Sequence, residues 1–136
     1  MVKKILVTGT TSYQNKANIR DFIFELKNKF KGKFRIATLA NDIGADFLVK
    51  KYALEFDVPF SEFNPYHCHH RLYDVMPEHM FDKKYHSINF HYRDNHAVKW
   101  ADIIVIFIPE DFKSGLITQF IDKAKKKDKT IKIIKG

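Results

Sequence analysis

The chain is expected to fold as a doubly wound α/β domain, with a parallel, Rossmann-like sheet of about five strands. Three observations predict it. Short β-branched or apolar runs alternate with helical patterns five times over. The most hydrophobic run, residues 102–108, is apolar at nearly every position, as a central strand buried on both faces must be. The length, 136 residues, suits one core, with no internal repeat and no room for a second domain.

The elements follow in order. Lys4-Ile5-Leu6-Val7-Thr8 is a short buried strand that stops at Gly9. Asn15 is placed to cap a helix in which Ile19, Phe22, Ile23 and Leu26 recur at helical spacing, and Lys31-Gly32-Lys33 ends it near Phe30. Residues 34–39 read as the second strand. Asp42-Ile43-Gly44-Ala45 leads into a second helix with Ala45, Leu48, Val49, Tyr52 and Ala53 on one side. A short third strand, 60–63, follows Pro59. Residues 64–86 break the rhythm: Asn64-Pro65-Tyr66 is a turn signal, and a loop insertion with one short helical piece is expected. A helix over 87–100, the central strand, and a helix over 115–127 with Ile117, Phe120, Ile121 and Ala124 inward lead to a last strand at 130–134.

Composition excludes several classes. At 45% hydrophobic and 29% charged, with five Gly and four Pro, the chain is neither a disordered tail nor a collagen-like repeat. No apolar run approaches the roughly 20 residues that span a bilayer, and the start lacks a signal-peptide pattern. One cysteine cannot staple a secreted fold, so a cytoplasmic protein is expected. The formal charge is +8, carried by 20 Lys and only 4 Arg, with a lysine-rich stretch from 123 to 135. Such a face attracts polyanions, although a solvated helix face needs no partner.

Ligands of this fold class bind at the carboxyl ends of the strands. The first strand ends Gly9-Thr10-Thr11-Ser12, where glycine permits close approach and three hydroxyls can meet phosphate oxygens. After the second strand comes Asn41-Asp42-Ile43-Gly44-Ala45-Asp46. Its carboxylates repel phosphate but accept from a ribose hydroxyl or a base amine; Asp42 as a helix cap and Asp46 at the helix's positive end are the structural alternatives. Ser114 and Gly115, before the last helix, can bind an anion or simply cap the helix. Arg93 offers a planar, permanent charge for phosphate or carboxylate, or for a surface ion pair. His67-Cys68-His69-His70 lacks the spacing that closes a zinc tetrahedron, so no metal site is expected. Tyr66, Tyr73, Tyr85 and Tyr92 lie in or near the irregular loop, where a ring can stack on a base.

Taken in order, these segments resemble the SLOG superfamily of Rossmann-like nucleotide-binding domains, above all its small stand-alone members of unknown function, frequent in bacteria and phages. Val7-Thr8-Gly9-Thr10-Thr11 stands where that branch has Val-Thr-Gly-Ser-Arg. Ala40-Asn41-Asp42-Ile43-Gly44-Ala45-Asp46 stands for Gly-Gly-x-x-Gly-Ala-Asp. Arg93-Asp94 stands for its Arg-Asn pair, before Trp100-Ala101-Asp102, and Ser114-Gly115-Leu116-Ile117 for Ser-x-Gly-Thr. The chain departs at the lost double glycine, at Thr11, at Asp94 and at Leu116-Ile117. The catalytic Glu of the related phosphoribohydrolases falls near Phe120, with no carboxylate at Gln119 or Ile121.

The resemblance implies a domain that binds a nucleotide or nucleotide-derived small molecule without turning it over, as a sensor or a sequestering protein, phage-encoded in one version of that role. The residues it implies for ligand contact are Gly9, Thr10, Thr11, Gly44, Ala45, Asp46, Arg93, Asp94, Ser114 and Gly115, with no cofactor or metal. It also implies self-association through the sheet-flanking helices. Two alternatives stay open. One is a nucleotide N-glycoside or phosphoester hydrolase using Asp46, Asp94 or Glu110. The other is a nucleic-acid-binding protein drawing on the basic charge.

Overall fold

A computed structural model describes residues 2–136. Five strands form one all-parallel sheet: β1 (Lys3–Gly9), β2 (Phe34–Thr38), β3 (Phe60–Glu62), β4 (Ile103–Ile108) and β5 (Thr130–Lys135), in the order β3-β2-β1-β4-β5. Four helices connect them: α1 (Lys16–Phe30), α2 (Ala45–Glu55), α3 (Ile88–Trp100) and α4 (Leu116–Lys126). The architecture is the doubly wound one expected, with strand order reversing between β1 and β4.

Strand alternation sorts the core into two layers. Ile5 and Val7 of β1, Ile36 of β2, and Val105 and Phe107 of β4 face α1 and α2, meeting Ile19, Ile23, Val49 and Ala53. Leu6, Ala37, Ile104, Ile106 and Ile108 face the other way, against Ala97 and Val98 of α3 and Ile117, Phe120, Ile121 and Ala124 of α4. Each fully buried side chain of this kind contributes about 1.5–3 kcal/mol relative to exposure, so β1 and β4 anchor both layers. The inward sets of α1, α2 and α4 match their spacing, except that Phe22 and Leu48 are only partly buried.

Helix ends differ from expectation in instructive ways. Asn15 caps α1 through Oδ1, which accepts from the Asn18 N–H at 3.1 Å, while its Nδ2 donates to the Gly136 carbonyl at 2.6 Å. One side chain thus ties the start of α1 to the end of β5. Asp42 does not cap α2; the cap position is Gly44, and no side chain bonds there. Ser114 does not cap α4 either. Gly115 holds that position and donates its N–H to Thr118 Oγ1 at 3.3 Å.

Residues 64–86 are knit together rather than loose. Glu62 N–H donates to the Tyr73 carbonyl (2.8 Å) and Val75 N–H to the Glu62 carbonyl (3.1 Å), so Asp74 bridges β3 as a parallel partner. Asn64 Nδ2 and the Arg71 N–H both donate to the Asp74 carboxylate at 2.7 Å. The short helical piece is a single 3-10 turn, Glu78–Met80. No helix of the described residues is long and apolar enough to cross a membrane.

Candidate functional site

In an open parallel sheet the binding crevice lies outside the carboxyl ends of the strands, at the point where strand order reverses. Here that point falls between β1 and β4, whose following helices pack on opposite faces. The loops at 10–15, 39–44 and 109–115 border it.

The first loop is fixed by its backbone. Thr10 donates its N–H to the Phe107 carbonyl (3.1 Å), and the Thr10 carbonyl accepts from Tyr13 (3.3 Å) and from Ala45 (3.1 Å). A Cβ on Gly9 would stand 2.2 Å from the Phe107 oxygen and 2.7 Å from the Ala45 Cβ, so only glycine lets β1, β4 and α2 approach this closely. Gly44 has φ +76°, and a Cβ there would stand 2.4 Å from Thr11 Cα. The loop therefore rests on the start of α2, and the Thr10 carbonyl takes the amide that Asp42 was expected to cap. Gly9, Gly44 and the fully buried Ala45 form a seat; Thr11 and Ser12 are exposed above it, with Ser12 Oγ donating to Thr10 Oγ1 at 3.2 Å.

Asp46 lies beneath this seat, 2% exposed. Its Oδ1 accepts from Thr8 Oγ1 at 2.6 Å, and its Oδ2 from Asn41 N–H at 3.2 Å and Asn41 Nδ2 at 2.7 Å. Burial pushes the carboxyl up to about 6, against the pull of those three bonds and of the Arg93 charge. Asp46 thus organises the ends of β1 and β2 from inside. Its partners Thr8 and Asn41 were not singled out from the sequence, although a threonine inside an otherwise apolar strand is the kind of buried polar group that demands one.

The double glycine of the resemblance is replaced by Ala40-Asn41, yet the backbone keeps the glycine conformation: Ala40 has φ +63°. From α3, Arg93 reaches this segment. Its Nη1 donates to the Leu39 carbonyl at 3.2 Å and its Nε to Asp94 Oδ1 at 3.0 Å, with the guanidinium 5.3 Å over the Phe90 ring. Both side chains are largely buried, Arg93 at 12% exposure. Arg93, Asp94 and ionised Asp46 sum to one negative charge, so the cation is already balanced.

Ser114 and Gly115 are exposed at the start of α4. Gly115 has φ 172°, ordinary extended backbone, and a Cβ there would meet only the Phe112 ring edge at 3.6 Å. Helix-start amides lack intrahelical partners and favour an anion. The structure thus joins Gly9, Thr10, Thr11, Gly44, Ala45 and Asp46 in one packed unit and brings Arg93 and Asp94 beside it. Ser114 and Gly115 stand apart, linked to that unit by no hydrogen bond among the described residues.

The irregular loop leans on the same end of the sheet, with Arg71 Nη1 3.6 Å from Asp42 Oδ1. Its histidines do not converge: no group of three or more His, Cys, Asp or Glu side chains among the described residues could hold a metal ion. His69 pairs with Asp82, His67 packs on Tyr85 and Phe90, and Cys68 is a half-buried free thiol. Two cavities lie away from the crevice. One, about 620 Å³ between α3 and α4, is lined by Lys99, Lys123, Lys126, Lys127 and Lys129. The other, about 560 Å³, lies between the irregular loop and α3.

No family profile and no curated protein matches the sequence. Solved structures do match the fold. The molybdenum cofactor binding protein of the phototrophic bacterium Rippkaea orientalis superposes with a TM-score of 0.68 at 15% identity, over 100% of this chain and 78% of that one. The molybdenum cofactor carrier protein of Chlamydomonas reinhardtii superposes with a TM-score of 0.60, also at 15% identity, over 98% of this chain and 76% of that one. At that identity the likeness is one of fold: a small Rossmann-like α/β domain.

Proposed function

We propose that the chain binds a nucleotide or nucleotide-derived small molecule at the carboxyl edge of its sheet and holds it without turnover. The observation that carries this reading is the first loop. It is locked onto α2 by the Gly44 contact and the Thr10–Ala45 bond, and it presents the hydroxyls of Thr10, Thr11 and Ser12 at the point where strand order reverses. A loop held this way loses little conformational entropy on meeting a ligand. Phosphate contacts fall to Thr10, Thr11 and the Ser114–Gly115 helix start. Gly9, Gly44, Ala45 and Asp46 build the seat beneath, and Arg93 with Asp94 borders it. That two proteins of the same fold are described as binding or carrying molybdenum cofactor supports a holding role, and makes that cofactor the first alternative ligand. Absence of turnover is supported by the engagement of Asp46 and Asp94 in bonds within the protein.

The test is to release whatever co-purifies by denaturing the protein, identify it by mass spectrometry, and screen nucleotides by thermal shift. An intact nucleotide that also stabilises the fold is the expected result. Recovered free base or ribose phosphate points to hydrolysis instead. An empty protein that no nucleotide stabilises overturns the reading. Thr11→Glu, which sets a carboxylate among the loop hydroxyls, is expected to weaken phosphate-bearing ligands about tenfold or more, measured by calorimetry; unchanged affinity in a folded variant removes the first loop from the site.

The five-lysine cavity favours nucleic-acid binding as a second reading. Retention of single- or double-stranded DNA that falls steeply with salt, and is lost in a Lys126→Glu, Lys127→Glu variant, would establish it.

A further inference from the structure

The cavity between the irregular loop and α3 has a feature that the strand-end crevice lacks. Tyr66 lines it, is 6% exposed, and its hydroxyl has no hydrogen-bond partner in the protein. A buried phenol ordinarily finds one. The ring is held from several sides: Phe81 edge-on at 5.6 Å, His96 at 5.8 Å and Tyr92 at 6.3 Å between centroids. Burial raises the phenol above its usual range, so at neutral pH it keeps its proton and can donate.

The rest of the wall completes a recognisable chemistry. Asn89 is buried and commits its amide nitrogen to His67 (3.2 Å) and the Lys84 carbonyl (3.4 Å), which leaves its amide oxygen to accept. Tyr92, His79 and His96 supply flat rings, and Lys83 supplies positive charge; no carboxylate lines the space. Asn89, Tyr92 and His96 sit at positions i, i+3 and i+7 of α3, one stripe of that helix. The main-chain bond from Lys83 N–H to the Tyr66 carbonyl (2.9 Å) holds the loop wall together, and the Asn89 bonds to His67 and Lys84 tie that wall to α3.

We propose that this cavity is a second binding site, for a flat, anionic heteroaromatic molecule whose ring edge carries both an acceptor and a donor. The acceptor meets the Tyr66 hydroxyl, the donor meets the Asn89 amide oxygen, the ring stacks among Tyr92, His79 and His96, and the anionic substituent lies by Lys83. Nucleotides and free heterocyclic acids share this chemistry. The site is independent of the strand-end crevice: none of its walls comes from the loops at 10–15, 39–44 or 109–115.

The experiment titrates protein carrying ring-labelled tyrosine, whose six tyrosines keep the NMR spectrum sparse, with AMP, GMP, adenosine, pterin-6-carboxylate and phenyl phosphate. Tyr66→Phe assigns the Tyr66 signal. Saturable shifts of Tyr66 and Tyr92 with a nucleotide or with the pterin acid are expected, and which of the two produces them identifies the source. Phenyl phosphate, with ring and charge but no edge, should bind at least fivefold more weakly. Tyr66→Phe should cut affinity about five- to tenfold while melting no lower than wild type, because an unpartnered hydroxyl contributes nothing to the fold. Lys83→Gln, at an exposed position, should weaken the anions about three- to tenfold and leave adenosine unaffected. Unmoved Tyr66 and Tyr92 signals with all probes overturn the proposal. So does equal binding of phenyl phosphate, or a Tyr66→Phe variant that melts lower. A nucleotide that binds without moving those two signals, and is lost in Thr11→Glu, leaves the strand-end site standing and this one refuted.

Discussion

Two residues, Ala40 just after β2 and Asp46 in the first turn of α2, carry most of what is unusual here. Ala40 adopts φ +63°, a conformation that costs a residue with a Cβ about 1–2 kcal/mol. Glycine avoids that cost but loses some of the gain through a freer unfolded chain. Ala40→Gly is therefore expected to stabilise the protein by about 0.5–1 kcal/mol, measured by urea unfolding. Asp46 gives a pH signature of uncommon sign. Its carboxyl titrates near 6 in the folded protein against 3.8 when unperturbed, so the folded state holds the proton more tightly. This group's contribution to stability is full at low pH, fades as pH rises through the window from about 4 to 6, and is absent above it. Asp46→Asn keeps an acceptor for Asn41 and removes the titration. Going from pH 4.5 to 7, wild type should lose about 2 kcal/mol relative to the variant, read from paired unfolding curves at each pH. Equal pH profiles would show that Asp46 ionises normally and that its surroundings are wetter than its burial indicates.

At the scale of elements, the helix starts of α2 and α4 look alike in sequence, each with a glycine before the first apolar turn, and behave oppositely. Gly44→Ala meets positive φ and the Thr11 backbone together, and is expected to cost roughly 3 kcal/mol or more. Gly115→Ala meets extended backbone and only an ordinary contact with the Phe112 ring, and is expected to stay within about 1 kcal/mol. Chemical denaturation of the two variants checks both. This contrast also marks what was legible in the sequence. The alternation of strands and helices and the inward faces of α1, α2 and α4 follow from periodicities that need no partner to be read, whereas the strand order β3-β2-β1-β4-β5 is set by pairings between distant segments. The capping of α2 is not legible either, because the carbonyl that replaces the expected Asp42 cap comes from Thr10, thirty-five residues earlier than Ala45 and brought there only by the close packing at Gly9. The local sequence around Asp42 holds no trace of it. Likewise Asp46 reads as a helix-start carboxylate until Thr8 and Asn41 enclose it, and Tyr66 reads as a loop aromatic until Phe81 and α3 bury it.

Across the whole molecule, the segment 64–86 looks by composition like a surface loop and is bonded like part of the sheet. The amides of Glu62, Cys68, Asp74, Val75, Asp82 and Lys83 all donate to backbone carbonyls in or beside it. Their hydrogen exchange should be slowed at least tenfold relative to that of Thr11 and Ser12 in the first loop, and limited proteolysis should spare this segment. Fast exchange throughout 64–86 would mean that the bridge to β3 opens freely. The same bridge settles how the sheet meets its surroundings. A parallel sheet has two outer strands, and each is an invitation to add another chain. Asp74 and its neighbours lie along the outside of β3, so among the described residues β5 is the one long open border. That border carries Lys132 and Lys135, whose like charges oppose edge-to-edge growth between copies. The tethered loop on one flank and the lysines on the other give the sheet a stopped end on each side, and with it resistance to stacking into fibres.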